Sequence, residues 1–346
     1  LKRPLPGTMA NQPPIVFVVR ASVNDGLGHL VRSLCVLREL TKRARVHLLK
    51  VGDACGSHLI DEAGMDWTPC ATDDHAAHEA MARQPKVAVF DTLTFEQPAF
   101  ERIAEKAVTV SLSPVFSQMV RVRHLFHRTV RADPAWAKEP AFPKVHSGLR
   151  YAVLPAWLKR VSARHYREQV QEERLAVAIS MGGTDAPNRT LAFLKLLGHC
   201  PARLVLFVAL GDAYTHSYED LLRCAAANRQ EIILLKSNES MWRALKNVSL
   251  IVCAGGLTTY EAAYIGLPTI NILQRPEWTY LFEELVAAGA CRILPPLPDS
   301  LDLAAGMVAD LAANREQLTQ MHLATKGLIP EGGARRIAAR LSALNK

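Results

Sequence analysis

The chain has no run approaching the roughly 20 consecutive apolar residues that a membrane-spanning helix needs. Its basic start, Leu1-Lys2-Arg3-Pro4-Leu5-Pro6-Gly7-Thr8, is not followed by the apolar core of a secretory signal. Met9 is the candidate initiator, and whether residues 1–8 belong to the native protein stays open. A soluble, cytoplasmic protein is expected. Paired cysteines are also missing. The seven cysteines (Cys35, Cys55, Cys70, Cys200, Cys224, Cys253 and Cys291) are odd in number, widely spaced and never arranged Cys-x-x-Cys. That argues against a disulfide framework or a zinc site and for buried free thiols in a reducing compartment. Aromatic residues make up 6% of the chain, too few for a platform that stacks single-stranded bases. No zinc-finger or RNA-recognition signature is present, so no nucleic-acid partner is expected.

What is present is ordinary globular composition, 49% hydrophobic and 21% charged, over 346 residues. That length suits two domains better than one. The formal charge of +8 suits an anionic ligand, a nucleic acid or an acidic membrane surface, and does not choose among them.

Short apolar runs rich in branched residues alternate with helical patterns, the mark of parallel sheets with crossover helices. In the first half, strands are expected at 15–19, 46–51, 87–90 and 108–112, with helices at 29–40 and around 100–106. The stretch 113–150, with prolines at 114, 134, 140 and 143, loses this rhythm. Strands resume at 175–179, 204–209, 231–235, 250–253, 269–273 and 291–294, with helices at 189–197, 258–265 and 278–288. A helical tail covers 301–323 and 333–344. The economical reading is two doubly wound units: 9–153, a linker 154–173, 174–330 and a closing helix 331–346.

Open parallel sheets bind ligands beyond the carboxyl ends of their strands, and three glycine-bearing segments fall at such turns. The first is Asp25-Gly26-Leu27-Gly28-His29-Leu30-Val31-Arg32. Its glycines permit close backbone approach, and the amides of a helix start favour anions. It is no dinucleotide fingerprint, because Val31 fills the third glycine position. His29 can serve as a general base near neutral pH, or it can simply cap the helix. Arg32 can face an anion or solvent.

The second segment is Ser180-Met181-Gly182-Gly183-Thr184-Asp185-Ala186-Pro187-Asn188-Arg189-Thr190. Its amides can cradle phosphate, while Thr184 and Asp185 can orient a hydroxyl or cap the next helix; a plain turn is the competing reading. The third is Cys253-Ala254-Gly255-Gly256-Leu257-Thr258-Thr259-Tyr260-Glu261. Thr258 and Thr259 can donate to a diphosphate, and the Glu261 carboxylate can accept two ribose hydroxyls or merely complement the helix dipole. Anion-binding elements in both halves suit a ligand that bridges a cleft.

These residues carry a resemblance. The Gly26 to Arg32 turn, with Arg20-Ala21 ahead of it, resembles the Gly-x-Gly-His-x-x-Arg turn of hydrolases that release UDP from UDP-2,4-diacetamido-2,4,6-trideoxy-β-L-altropyranose in pseudaminic acid biosynthesis. Gly182, Gly183, Asp185, Asn188 and Thr190 are similar to their Gly-Gly-x-Asp-x-x-Asn-x-Thr turn. Ala254-Gly255-Gly256 through Glu261 to Gly266-Leu267-Pro268 resembles a segment they share with the transferase that adds N-acetylglucosamine to a peptidoglycan precursor. Asp91, Tyr151 and Gly332-Gly333-Ala334 are weaker echoes. The resemblance implies a GT-B fold, UDP held mainly by the second domain, Glu261 on the ribose and the turns at Gly182 and Gly255 on the diphosphate or uracil. It also implies His29 as the base activating water, and neither a metal nor another cofactor. Gly28, Arg32, Asp91, Gly182, Gly183, Thr184, Asp185, Gly255, Gly256, Thr258, Thr259, Glu261 and Gln274 are then the expected substrate-binding residues.

Three departures fall on the sugar side: Leu93 after Asp91-Thr92, Ser113-Pro114 after the fourth strand, and Gln274-Arg275-Pro276-Glu277-Trp278 in place of Asn-Gln. The main expectation is thus a UDP-sugar hydrolase. The alternatives are an inverting glycosyltransferase for cell-surface glycan and a non-catalytic nucleotide-sugar-binding protein. For a transferase, the basic segment 121–131 with its interleaved apolar residues suggests peripheral contact with anionic lipid, against the plainer reading of a solvated edge. The identity of the sugar and the oligomeric state stay open.

Overall fold

The computed structural model describes residues 12–129, 143–185, 187–211, 214–236 and 239–346. It divides into two compact units, the first ending at Ala156 and taking back Glu331–Lys346, the second comprising Trp157–Pro330.

The first unit is a seven-stranded parallel sheet of order β3-β2-β1-β4-β5-β6-β7. Its strands are β1 (Ile15–Arg20), β2 (Val46–Val51), β3 (Trp67–Cys70), β4 (Val87–Asp91), β5 (Val108–Ser111), β6 (His124–His127) and β7 (Lys144–Ser147). The central strands are covered on both faces, and so β1 reads Ile-Val-Phe-Val-Val with all five side chains buried. Crossovers run through α1 (Gly28–Leu40), α2 (Ser57–Glu62), α3 (Asp73–Ala82) and α4 (Gln97–Ala104). Thr72 caps α3 by accepting from the His75 amide.

The second unit is a six-stranded parallel sheet of order β10-β9-β8-β11-β12-β13. It contains β8 (Leu175–Ser180), β9 (Leu204–Leu210), β10 (Glu231–Lys236), β11 (Leu250–Cys253), β12 (Thr269–Ile272) and β13 (Cys291–Leu294). Helices are α5 (Ala163–Val170), α6 (Arg189–Leu197), α7 (Tyr218–Ala227), α8 (Glu239–Leu245), α9 (Leu257–Ile265), α10 (Glu283–Ala287), α11 (Ser300–Ala313) and α12 (Arg315–Ala324). The last helix, α13 (Gly333–Leu344), returns to the first unit, where Ile337, Ala338 and Leu341 join Leu30, Leu34 and Leu37 of α1 in one core.

Several expectations need correction. The stretch 113–150 supplies β6 and β7, which are only four residues long and carry histidines in place of a continuous apolar pattern. β3 was missed because Pro69 interrupts it, a residue tolerated there because β3 is an edge strand. The helix expected at 278–288 is a 3-10 turn, Pro276–Phe282, followed by α10. The Leu281 carbonyl accepts from the buried Tyr260 hydroxyl and so is turned away from a helical ladder. The tail 301–323 breaks at Asn314 into α11 and α12.

In the basic segment 121–131, Leu125 and Phe126 are core residues of β6, 0% and 3% exposed, and Arg121 pairs with Glu101 at 2.9 Å. Its described apolar side chains Val122, Leu125 and Phe126 are therefore buried; residues 130 and 131, like Ala186 and residues 1–8, lie outside the described residues. No described helix is long and apolar enough to cross a membrane.

Candidate functional site

In each sheet the chain starts centrally, runs outward one way, then jumps back to the other side of its first strand. The resulting switch points lie between β1 and β4 in the first unit and between β8 and β11 in the second. At such a point the turns leaving two adjacent strands diverge and open a crevice at their carboxyl ends. The three glycine-bearing segments follow β1, β8 and β11, so all of them belong to switch points.

At the first switch point, Gly26 adopts a φ of 76°, a left-handed turn that brings the chain into α1. The turn is braced from below by Lys50, 1% exposed, whose ammonium donates to the carbonyls of Ala21 (3.1 Å) and Asp53. Asp53 in turn accepts from the Val23 amide at 3.0 Å. Lys50 was missed at the sequence level, although a lysine in the apolar strand 46–51 was the available signal.

His29, Arg32 and Ser33 sit three and four residues apart on α1, on one helical face, and converge on Asp91 at the end of β4. His29 Nδ1 lies 2.6 Å from Asp91 Oδ1. Arg32 Nε donates to Asp91 Oδ2 at 3.0 Å, its Nη2 donates to Oδ1, and Ser33 Oγ donates to Oδ2 at 2.9 Å. Burial alone pushes the Asp91 carboxyl up, but Arg32 and then His29 outweigh it and hold the group well below the usual carboxylate range. Asp91 is therefore an acceptor only. The 2.6 Å contact with Asp91 favours the proton on Nδ1, with Nε2 as the basic nitrogen, over the Nδ1 acceptor form to which Arg32 Nη2, 3.0 Å away, would donate.

Asp91 is 0% exposed and Arg32 7%. Both are expected on the substrate; here Arg32 and Asp91 bond each other, and Asp91 also meets His29. The His29 side chain retains 15% exposure, and Gly28 beside it is exposed.

At the second switch point, Gly182, Gly255 and Gly256 adopt φ values of 97°, 82° and 81°. Above Gly183 and Gly256 there is open space, with no atom within 4 Å of where a Cβ would stand. The nearest neighbour to such an atom on Gly182 is Gln274 Nε2, 4.0 Å away. The ends of β8 and β12 are thus brought together, with exposed Gln274 beside the β8 turn. Thr184 and Thr258 are half-buried at the two turns.

Two residues expected on the ligand have other partners. Asp185 is 4% exposed and uses both carboxylate oxygens to cap α6, accepting from the amides of Arg189 at 2.9 Å and Thr190 at 2.8 Å. Thr259 is fully buried and donates to Asn271 Oδ1 at 2.6 Å. Glu261 differs from both. It sits in the wholly buried part of α9, and burial alone pushes its carboxyl up to about 7 with no offsetting cation. A carboxylate so placed gains from any hydroxyl pair that reaches it.

No family model matches the chain. An uncharacterized protein of Methanocaldococcus jannaschii, MJ1062, is 23% identical over 270 residues, covering 75% of this chain and 55% of that protein. The chain thus spans about half the length of this curated relative. Among solved structures, Acinetobacter baumannii MurG superposes with a TM-score of 0.69 at 16% identity, covering 96% of this chain and all of that one. Anabaena Alr3699/HepE, solved with UDP and glucose, gives a TM-score of 0.58 at 13% identity, covering 96% of this chain and 97% of that one. With two parallel-sheet Rossmann-like units matched end to end, the chain has the GT-B fold.

Proposed function

We propose that the protein is a GT-B enzyme that transfers the sugar of a nucleoside-diphosphate sugar, UDP-linked by preference, to an acceptor hydroxyl with inversion. The observation that carries this reading is the 2.6 Å contact between His29 Nδ1 and the buried Asp91 carboxylate, held well below the usual carboxylate range. It turns an ordinary helix-start histidine into an oriented base. The known proteins of this fold named above, one of them solved with UDP and glucose, support a sugar-nucleotide ligand.

In the reaction, the acceptor O–H proton passes to His29 Nε2 as the acceptor oxygen attacks the anomeric carbon. The anomeric C–O bond to the diphosphate breaks, and its electron pair leaves with the phosphate oxygen. Asp91 stabilises the imidazolium that forms. Amides at the Gly182–Gly183 and Gly255–Gly256 turns, with Thr184, Thr258 and Gln274, take the charge of the departing diphosphate. The otherwise unmatched Glu261 accepts the ribose hydroxyls.

A second reading rests on a specific observation: the turns at Gly26 to Arg32 and Gly182 to Thr190 resemble those of UDP-sugar hydrolases. Water would then replace the acceptor hydroxyl at the same base. UDP release from a panel of UDP-sugars, with and without candidate acceptors, separates the two. Acceptor-dependent release supports transfer; equal release in buffer alone establishes hydrolysis. In either case His29→Ala and Asp91→Asn should lower kcat by about 10²–10⁴-fold while UDP binding stays within a factor of two. Turnover near wild type in His29→Ala would remove the base from the mechanism.

A further inference from the structure

The β8–α6 turn holds two of the three non-glycine residues with positive φ in the described chain, Asp185 at 44° and Asn188 at 53°. Asp and Asn enter this region more readily than other side chains, because their short polar groups bond locally, and here their surroundings impose it. Part of the imposition is local, since the Asp185 carboxylate caps α6 and its carbonyl accepts from the Asn188 amide at 2.7 Å. The rest comes from the segment that follows β9. His216 Nε2 lies 2.8 Å from the Asp185 carbonyl, which can only accept, so the ring donates. Tyr214 donates its hydroxyl to Asn188 Oδ1 at 3.0 Å. Each of the two strained residues thus has one partner from the β9–α7 segment.

The same segment fits the turn backbone closely. A Cβ on Gly211 would stand 2.2 Å from the Gly183 carbonyl oxygen and 2.4 Å from its Cα, so only glycine fits there. Tyr214 is 7% exposed and packs edge-on against His216 and Tyr218, with ring centroids 5.2 and 5.7 Å away. Burial pushes its phenol up to about 12, so the hydroxyl remains a donor throughout the physiological range. Gly182 and Gly183, between β8 and these residues, are exposed, and nothing lies within 4 Å of where a Cβ on Gly183 would stand.

We propose that Tyr214 and His216 are positioning residues that hold Asp185 and Asn188 in their left-handed conformation and thereby set how tightly the turn after β8 grips the nucleotide. The grip on a nucleoside diphosphate rests on the functional reading above; the clamp on the turn does not. Neither side chain needs to touch the ligand or the reacting atoms. Their loss should therefore raise KM and leave kcat nearly unchanged, the reverse of a change at His29.

Two measurements on the full chain test this. Amide hydrogen exchange over 182–190 is read without ligand, and UDP affinity is read by titration. His216→Leu and Tyr214→Phe should each speed exchange in the turn and weaken UDP binding five- to fifty-fold, with kcat within twofold of wild type. His216→Gln, whose side-chain amide can donate from nearly the same place, should bring both readouts back to within threefold. Unchanged exchange in both His216→Leu and Tyr214→Phe overturns the clamp. Faster exchange with unaltered UDP affinity in a UDP-binding protein overturns the positioning role. A wild-type chain that binds no UDP overturns the functional reading instead, while the exchange result still decides whether the clamp exists.

Discussion

At the scale of single residues, the sharpest contrast is between two buried carboxyls treated oppositely. Asp91 is surrounded by donors and held ionised; Glu261 is buried with no offsetting cation and pushed up to about 7. An acid whose folded pKa is raised above its ordinary 4.5 gives the folded state the extra proton between those two values. Its contribution is therefore whole below about pH 4.5 and is lost as pH rises through 7, a loss on the order of 3 kcal/mol. Glu261→Gln, which cannot ionise, should abolish that loss. Denaturant unfolding of both proteins from pH 4.5 to 8.5 gives the comparison, and the difference curve isolates Glu261. Isolation is needed because His127 and His146, both lowered to about 4 by burial, act the other way and cost stability as pH falls below 6.5. The same substitution should weaken UDP at pH 8, where the ionised carboxylate would accept both ribose hydroxyls. A flat difference curve would mean Glu261 is solvated in the folded protein.

At the scale of elements, the strands that can be read from sequence are those whose environment demands a repeated chemistry. β1, β2, β8, β9 and β11 are covered on both faces, and their branched apolar runs announce them. β6 and β7 hide because four residues rich in histidine carry no period, and β3 because an edge strand can hold Pro69. Of the candidate site, the glycine turns were legible because they need positive φ; the convergence of His29, Arg32 and Ser33 on Asp91 was not. That contact joins residues about sixty positions apart and depends on β1 and β4 being neighbours.

One glycine also shows how an element is placed. Gly333 opens α13, and a Cβ there would stand 2.0 Å from the Ala152 carbonyl oxygen and 3.3 Å from that of Arg150, both backbone atoms. Arg336 adds a bond from α13 to the same Arg150 carbonyl at 3.1 Å. Gly333→Ala must push the helix off this seat and disturb the packing of Ile337, Ala338 and Leu341 on α1. A cost of about 1–3 kcal/mol is expected, read as a lower denaturation midpoint, with Gly306→Ala, a helical position without positive φ whose Cβ would meet nothing, as the control. Equal midpoints for the two variants would show that the seat yields freely.

At the scale of the molecule, the two units differ in how the chain builds them. The second is one continuous stretch, Trp157–Pro330, whereas the first is closed by α13 from the far end of the sequence. Ala334, Ile337, Ala338 and Leu341 belong to the same core as β1 and α1, so a chain cut after residue 156 leaves that core open along α1. Burial of such side chains contributes about 1.5–3 kcal/mol each for the larger ones, comparable to the net stability of a whole domain. Residues 157–330 expressed alone should therefore fold cooperatively and, if the nucleotide site lies where we propose, bind UDP within a few-fold of the intact protein. Residues 9–156 alone should fail to fold, and appending 331–346 through a flexible linker should restore a cooperative transition. Unfolding curves followed by circular dichroism, with UDP titrations of the 157–330 fragment, read each outcome. A cooperatively folded 9–156 fragment would show that α13 is an accessory to the first unit. A folded 157–330 fragment that had lost UDP affinity would move the nucleotide site out of the second unit without touching the fold.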